Sequence, residues 1–372
     1  MSEPRGAATG AARRPAWERL PLLILGFVAL FVGMGAGLAR LGWTMPAAVA
    51  GAAVLHGPLM ICGFFGVVIG LERAVACGRT WAYAAPLLAG LGTAAALLGM
   101  DRATPWLTLA ASGVLLVASL GLLRRQREGF MLTIALAAGC WAIGTALWAA
   151  GGLVHEVVGW WLAFLVLTIA GERLELSRFM PPSRGAGRLF AAIVAVMLAG
   201  LLAWSLPWGS RLFGIALLGL AAWLLRHDVA RRTVRQRGLT RFIAVCLLSG
   251  YFWLALGGAV IATFGLTPGA AAYDAALHAL LLGFVFAMVF GHAPIIFPAV
   301  LRVAVPYHPG FYAPLALLHG SLLLRLAGSA LGSFDLKRWG ALLSALALLA
   351  FIANTAAAVR RGRRAALRAI KA

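Results

Sequence analysis

Residues 277–294 read LHALLLGFVFAMVFGHAP, eighteen positions with two histidines and no Asp, Glu, Lys or Arg. A helix needs about 20 consecutive apolar residues to cross a bilayer, so this stretch and its flanks predict a transmembrane helix. The composition extends that prediction along the chain, because 62% of the 372 residues are hydrophobic and only 12% are charged. Soluble domains carry about 25% charged residues. The sequence therefore predicts an all-α polytopic membrane protein.

Apolar runs of this kind occur about twelve times. They predict a single twelve-helix transmembrane domain over 20–358, between an N-terminal tail (1–19) and a basic C-terminal tail (359–372). The eighth run is the shortest. The predicted helices, numbered 1 to 12, span 20–41, 46–71, 81–100, 104–123, 130–151, 155–176, 187–206, 210–226, 240–265, 271–298, 308–331 and 339–358.

The basic residues are distributed unevenly between the two sides of this topology. With the N-terminus placed inside, 26 of the 32 Lys and Arg residues lie inside and six outside. This positive-inside asymmetry predicts a bacterial-type inner membrane protein with both termini in the cytoplasm. The net charge of +21 lies in short clusters between apolar runs, which is typical of membrane topology and not of a nucleic-acid groove. The sequence has no Walker-type phosphate loop, which argues against ATP-driven transport by this chain alone.

Histidines within the predicted bilayer are the most informative residues, because intramembrane ionisable groups are costly and usually functional. His278 and His292 of helix 10 are fourteen residues apart, about 21 Å along an α-helix, with their rings on one face. His56 of helix 2 lies at the depth of His278, so we predict that these two imidazoles bind one low-spin haem. His292 is predicted to join His319 of helix 11 in a second haem or copper site. The alternative for each histidine is a hydrogen bond to a neighbouring carbonyl group.

Four further residues are candidate accessory groups. Asp274 lies one turn before the first histidine of helix 10 and could orient it. Arg325 of helix 11 is predicted either to bind a haem propionate or an anionic substrate, or to snorkel outward. His155 opens helix 6, and His308 is predicted to be an interfacial histidine in the PYHPG turn. None of the four cysteines forms a C-x-x-C-H motif, so the sequence favours a non-covalent haem of the b type.

Two Glu-Arg dipeptides end helices 2 and 6 on the predicted cytoplasmic side. They are Glu72 with Arg73, and Glu172 with Arg173. We interpret each as an interfacial ion pair or a helix stop, with a proton path as the alternative.

Three segments recur at long period. LHGPLM (55–60) is followed by GFFG (63–66), VH (154–155) by WW (160–161), and LH (277–278) by GFVF (283–286). The histidines of these segments are 99 and 123 residues apart, which is four helices each time. The pattern predicts three pseudo-repeats of four helices, in which helices 2, 6 and 10 are equivalent. A further echo links YAAPL (83–87) in helix 3 to YAPL (312–315) in helix 11.

With these motifs in place, the chain resembles the NnrS family of twelve-helix membrane proteins and, more distantly, haem–copper oxidase subunit I. The resemblance rests on the helix count, on His56, on the HAL sequence from His278 and on the later Gly291 and His292. In the oxidases helices 2 and 10 hold the low-spin haem, which implies the same role for His56 and His278. NnrS proteins imply haem, copper and a link to nitric oxide and denitrification, with nitric oxide or a redox protein as partner. The adjacent histidine pair of oxidase helix 7 is absent, so no oxygen-reducing centre is predicted.

Two other functions fit the sequence. One is a secondary transporter, in which Pro58 and Pro294 would mark broken helices, although parallel threefold repeats are not the usual transporter pattern. The other is an assembly factor for a respiratory enzyme, whose histidines would pass a metal onward. The sequence favours neither an enzyme nor a non-enzyme, and it indicates no oligomeric state.

Overall fold

The computed structural model of the protein describes residues 16–177 and 185–371, and that part of the chain contains helices and no strand. Eleven of the described helices are long and apolar enough to cross a membrane, and a shorter apolar helix makes a twelfth. The prediction of an all-α polytopic membrane protein is confirmed. We number the helices α1 (Leu20–Ala39), α2 (Ala53–Cys77), α3 (Thr80–Leu97), α4 (Ala103–Arg125), α5 (Gly129–Ala149), α6 (Val154–Leu176), α7 (Ala186–Leu202), α8 (Gly209–His227), α9 (Gly238–Phe264), α10 (Ala271–Leu301), α11 (Pro309–Ala330) and α12 (Phe334–Ala365).

The shortest of these helices is the seventh, and the prediction that it would be the eighth is wrong. α8 has 19 residues because its helix continues beyond the apolar run to His227, whose Nδ1 donates to the Trp223 carbonyl group over 2.9 Å. α7 has 17 residues and ends at Leu202, in advance of Pro207, which disfavours helical backbone at the residue before it. Seventeen residues span about 25 Å and still reach the lower limit for a membrane helix.

Helices α2, α6 and α10 form the centre of the molecule, and we call them the core helices. Buried residues make up 67% of α2, 78% of α6 and 67% of α10 over their apolar windows, against 33–56% for the other spans. The core helices also meet in pairs. Phe64 of α2 stacks on Phe286 of α10, Arg73 of α2 reaches Glu172 of α6, and Arg173 of α6 reaches a histidine of α10. These are the helices that the sequence repeat makes equivalent.

The first and third repeats share two local departures from regular α-helix. In α2 and α10 a π-helical segment follows the histidine, at Leu59–Phe65 and at Ala279–Phe286 respectively. The next helix begins with a 3-10 turn in both repeats, at Thr80–Tyr83 and at Pro309–Phe311. The second repeat is plainer, since α6 is a regular α-helix. Because π segments inside α-helices occur frequently at functional sites, α2 and α10 are the helices to inspect first.

Each π segment contains a glycine at a close helix contact. A Cβ atom on Gly63 would lie 2.7 Å from the Thr93 hydroxyl of α3 and 2.8 Å from the Ala29 methyl of α1. A Cβ atom on Gly283 would overlap the Trp253 ring of α9. At these positions α2 and α10 therefore approach their neighbours at a distance that only glycine permits.

The predicted tails are partly structured. The last helix continues as a single element from Phe334 to Lys371, so residues 359–371 of the C-terminal tail are helical. Arg19, at the end of the N-terminal tail, is buried, and its Nη1 donates to the Val300 carbonyl group of α10 over 2.8 Å. Residues 1–15 lie outside the described part of the chain.

Candidate functional site

His56 and His278 lie beside each other between core helices α2 and α10. Their ring centroids are 6.3 Å apart and their ring planes differ by only 10°. Further along the same helices in the C-terminal direction, Phe65 of α2 packs against Phe286 of α10 with ring centroids 5.1 Å apart. The two histidines whose depths agree in the sequence are thus neighbours in the fold, and we call them the histidine pair.

Both rings of the histidine pair are held through the same nitrogen. Nδ1 of His56 lies 2.7 Å from the Gly33 carbonyl oxygen of α1, and Nδ1 of His278 lies 2.8 Å from the Asp274 carbonyl oxygen. A carbonyl oxygen can only accept, so Nδ1 carries the proton in each neutral ring and Nε2 keeps its lone pair. A second glycine of α1 fixes the His56 ring from the side, because a Cβ atom on Gly37 would lie 2.7 Å from its Cε1. Each imidazole therefore keeps an Nε2 lone pair of the kind that binds a metal ion.

The centroid distance between the rings has the size expected for two imidazoles that bind one metal ion through facing Nε2 atoms. A first-row metal ion lies about 2 Å from a coordinating imidazole nitrogen. Two imidazoles on opposite sides of one ion therefore have centroids about 6 Å apart, close to the 6.3 Å between His56 and His278. In metal sites the second ring nitrogen usually donates to a carbonyl or carboxylate group, as Nδ1 does in both of these rings. The donor set fits axial ligation of a haem iron.

Asp274 connects the histidine pair to two cations. Its carboxylate accepts two hydrogen bonds from Arg325, from Nε over 3.1 Å and from Nη2 over 2.8 Å. Lys337 Nζ lies 3.4 Å from Oδ2, and His278 Nδ1 lies 3.4 Å from Oδ1. Arg325 is 6% exposed, so it is directed into the protein and does not snorkel outward. We call His56, His278, Asp274, Arg325 and Lys337 the histidine-pair cluster.

The remaining accessory histidines lie at helix ends. His155 is half-buried in the first turn of α6, next to Val154, whose side chain lies 3.8 Å from where a Cβ atom on Gly57 would be. α6 therefore begins beside the histidine of α2. His308 is exposed, and its Nδ1 accepts from the Gly310 N–H over 3.0 Å, which caps the 3-10 turn of α11. This contact agrees with the interpretation of an interfacial histidine in a turn.

The two histidines of the predicted second site have partners at both nitrogens. His292 donates from Nδ1 to the Met288 carbonyl oxygen over 2.6 Å, and its Nε2 lies 2.7 Å from Arg173 Nη2. His319 accepts from Trp253 Nε1 over 2.9 Å at Nδ1, and its Nε2 donates to a serine hydroxyl of α9 over 2.9 Å. Within the described residues, no group of three or more His, Cys, Asp and Glu is placed to hold a metal ion. An axial haem site needs only two protein ligands, and a second site at His292 and His319 stays a prediction.

The two Glu-Arg dipeptides form a single cluster across helices. Arg73 Nη2 lies 2.7 Å from Glu72 Oε1 and 3.3 Å from Glu172 Oε1, so one nitrogen of α2 serves carboxylates of α2 and α6. Arg173 joins this cluster to His292 of α10. The predicted ion pair of Glu72 with Arg73 is present, but the sequence interpretation missed the link between the dipeptides. The dipeptides are 100 residues apart, nearly the 99 residues between the first two repeat histidines. This match could have indicated that the dipeptides occupy equivalent positions in neighbouring core helices. We call Glu72, Arg73, Glu172, Arg173 and His292 the glutamate–arginine cluster.

The family of the chain follows from a match over nearly all of these elements. The family model described as domain of unknown function (DUF8744) matches residues 19–360. The chain belongs to the DUF8744 family. The matched range contains α1 to α11 and every residue of both clusters, so this DUF8744 chain carries its polar interior within the family region. No curated protein matches the sequence.

Proposed function

We propose that this DUF8744 protein is a haem-binding integral membrane protein in which His56 and His278 are the axial ligands of one b-type haem. The observation that carries the proposal is the geometry of the histidine pair, with centroids 6.3 Å apart, near-parallel rings and Nδ1 bound to a backbone carbonyl in both residues. The resemblance to NnrS proteins and to the low-spin haem site of the oxidases supports the same assignment.

The residues around the pair have defined tasks under this proposal. The carbonyl groups of Gly33 and Asp274 fix the tautomer and the orientation of the two rings. The Asp274 carboxylate, paired with Arg325 and Lys337, sets the charge beside the pair. A haem held by His56 and His278 would supply one-electron transfer chemistry. We therefore favour electron transfer as the role of the haem. The resemblance to NnrS proteins links that role to nitric-oxide or denitrification chemistry, and we place the protein in a cytoplasmic membrane with both termini inside.

A secondary transporter is the second candidate, and one observation favours it. Helices α2 and α10 change from α to π geometry midway, with charged clusters near both ends. Irregular helices around buried polar groups are typical of transporter binding sites. Proton-coupled uptake by liposomes that contain the protein and no haem would favour this function. An assembly factor that passes a metal onward would instead release haem or copper to an acceptor protein.

Absorbance spectroscopy of purified protein tests the proposal. Protein expressed with ample haem is expected to show a Soret band, and His56→Ala and His278→Ala are each expected to lose the low-spin spectrum because one axial ligand is gone. His155→Ala is the matched control, since His155 is the repeat-equivalent histidine of α6 and contributes no ligand in this assignment. Haem-replete wild-type protein without a Soret band would refute the proposal. Equal loss in all three variants would indicate unfolding and not ligand removal, and circular dichroism separates the two.

A further inference from the structure

We propose that Glu72 and Glu172 form a proton-binding site, in which the two carboxylates share one proton and exchange it with the adjacent aqueous side. The site lies at the ends of core helices α2 and α6, away from the histidine pair. It does not depend on haem binding. Proton uptake converts one carboxylate to a carboxylic acid, and the proton comes from water on the side that the charge distribution predicts to be cytoplasmic.

The two carboxylates share one hydrogen-bonding cation, since the charge of Arg173 also acts on Glu172 but its described hydrogen bond goes elsewhere. Arg73 offers one nitrogen, Nη2, to both Glu72 Oε1 at 2.7 Å and Glu172 Oε1 at 3.3 Å. The second guanidinium group, that of Arg173, donates through Nη2 to Nε2 of His292. Nε2 of that ring faces an N–H donor and therefore accepts. Since Nδ1 donates to a carbonyl group, the ring carries one proton and is neutral. One guanidinium nitrogen therefore faces two carboxylates.

The surroundings strengthen the repulsion between these carboxylates. Arg73 and Arg173 are 7% and 4% exposed, and the Glu72 and Glu172 side chains are 26% and 23% exposed before any lipid is considered. Both carboxylates lie against Arg73 Nη2 and are therefore neighbours, and at low dielectric neighbouring like charges interact far more strongly than in water. Two carboxylates that share such a site therefore hold a proton in common, and the proton belongs to the pair and not to either residue.

An independent observation points to a proton route into the cluster. The Nε atoms of Arg73 and Arg173 are buried and have no hydrogen-bond partner among the described residues. Buried polar atoms of this kind are where proteins hold internal water, and each such water makes about three hydrogen bonds. Water between the guanidinium groups and the carboxylates would relay protons. The other charged group that acts on Arg73 is Glu175 of α6, one turn closer to the helix end than Glu172.

Infrared difference spectroscopy during a pH titration of the reconstituted protein tests the site. A protonated carboxylic acid has a C=O stretching band that carboxylates lack, and wild-type protein is expected to show this band at neutral pH. Glu72→Gln and Glu172→Gln remove one charge each while keeping size. The remaining carboxylate then has Arg73 to itself and ionises, so both single variants are expected to lose the band. Glu128→Gln, at an exposed glutamate on the same predicted side, is the control and is expected to keep it.

The outcomes separate the alternatives. Loss of the acid band in both cluster variants, with retention in Glu128→Gln, supports a shared proton. Loss in Glu172→Gln alone would identify an independent acid and overturn the sharing. A band that persists in both variants, or that is absent from the wild type at neutral pH, would overturn the site itself. Circular dichroism of each variant in the same detergent excludes misfolding as the cause of a lost band.

Discussion

The histidine-pair cluster and the glutamate–arginine cluster use similar residues at two levels of core helices α2 and α10, the first with added residues from α11 and α12 and the second with residues from α6. In the first, each imidazole donates from Nδ1 to a backbone carbonyl group. The cations Arg325 and Lys337 form ion pairs with Asp274. In the second, the Nε2 of His292 lies against Arg173. Two histidines of α10 therefore differ at Nε2. In His278 this nitrogen has no described hydrogen-bond partner, whereas in His292 it accepts from Arg173.

The difference shows that histidine depth is a weaker guide to function than the partner of each ring nitrogen. His278 and His292 are both intramembrane histidines of α10, but only His278 faces another imidazole. His292 faces a cation, which disfavours a second positive charge such as a metal ion. The carboxylates are also used differently, since Asp274 has two cations to itself whereas Glu72 and Glu172 share Arg73.

The largest expected effect comes from removing the shared cation. Arg73→Ala leaves two half-buried carboxylates without the guanidinium group that they share; breaking a fully buried ion pair costs about 3–5 kcal/mol, and the partial exposure of the carboxylates places the expected loss at about 3 kcal/mol, the lower end of that range. Thermal or chemical unfolding in detergent measures the loss. Arg79→Ala, which removes an exposed arginine just beyond the end of α2, is the control and is expected to change stability little. Equal stability of the two variants would mean that the glutamate–arginine cluster is not held by its ions.

A smaller effect is expected from the π segment that separates the two clusters in α10. Gly283→Ala places a methyl group in overlap with the Trp253 ring, so α9 or α10 must shift. Overpacking of this kind costs about 1–3 kcal/mol. Because Trp253 also donates to His319, the shift would reach α11. Unfolding measurements compare it with Gly139→Ala in α5, where a Cβ atom meets no atom within 4 Å and stability is expected to hold or rise. Matching stabilities would show that the core helices do not need this close contact.

The smallest expected effect is the one of His292→Ala on haem binding, and it sharpens the comparison between the histidines. His292→Ala removes the acceptor of Arg173, which costs about 1–3 kcal/mol as a buried donor loses its partner. The Soret band and the haem-to-protein ratio are expected to stay as in the wild type, unlike in His278→Ala. A halved haem-to-protein ratio in His292→Ala would instead reveal the second site that the sequence predicts.

Much of the fold could be predicted from the sequence because a bilayer demands it. Apolar runs give the helices, and the repeat of histidines at 56, 155 and 278 picks out the three helices that are most buried. The eighth helix, predicted over 210–226, was underestimated by one residue at each end, because Gly209 begins it and His227 continues it beyond the apolar run. A hydropathy pattern cannot detect helical turns made of polar residues at an interface.

The site was predictable only in part. The equal depth of His56 and His278 follows from counting residues from the helix start, so their approach could be foreseen. The π segment after His278 could not, because a uniform period of 3.6 residues has no signal for a change of helix type. The sequence also did not predict that Arg325 and Lys337 both form ion pairs with Asp274. These contacts depend on how α11 and α12 pack against α10.

The electron paramagnetic resonance spectrum of the oxidised, haem-loaded protein tests the central claim most directly. Two imidazoles on one ferric haem give a low-spin spectrum, and near-parallel ring planes give its rhombic form. The 10° between the rings of His56 and His278 therefore predicts a rhombic low-spin signal, which becomes high-spin or disappears in His278→Ala and persists in His155→Ala. A wild-type protein that binds no haem, or whose haem is high-spin, would contradict the assignment of the histidine pair as its axial ligands.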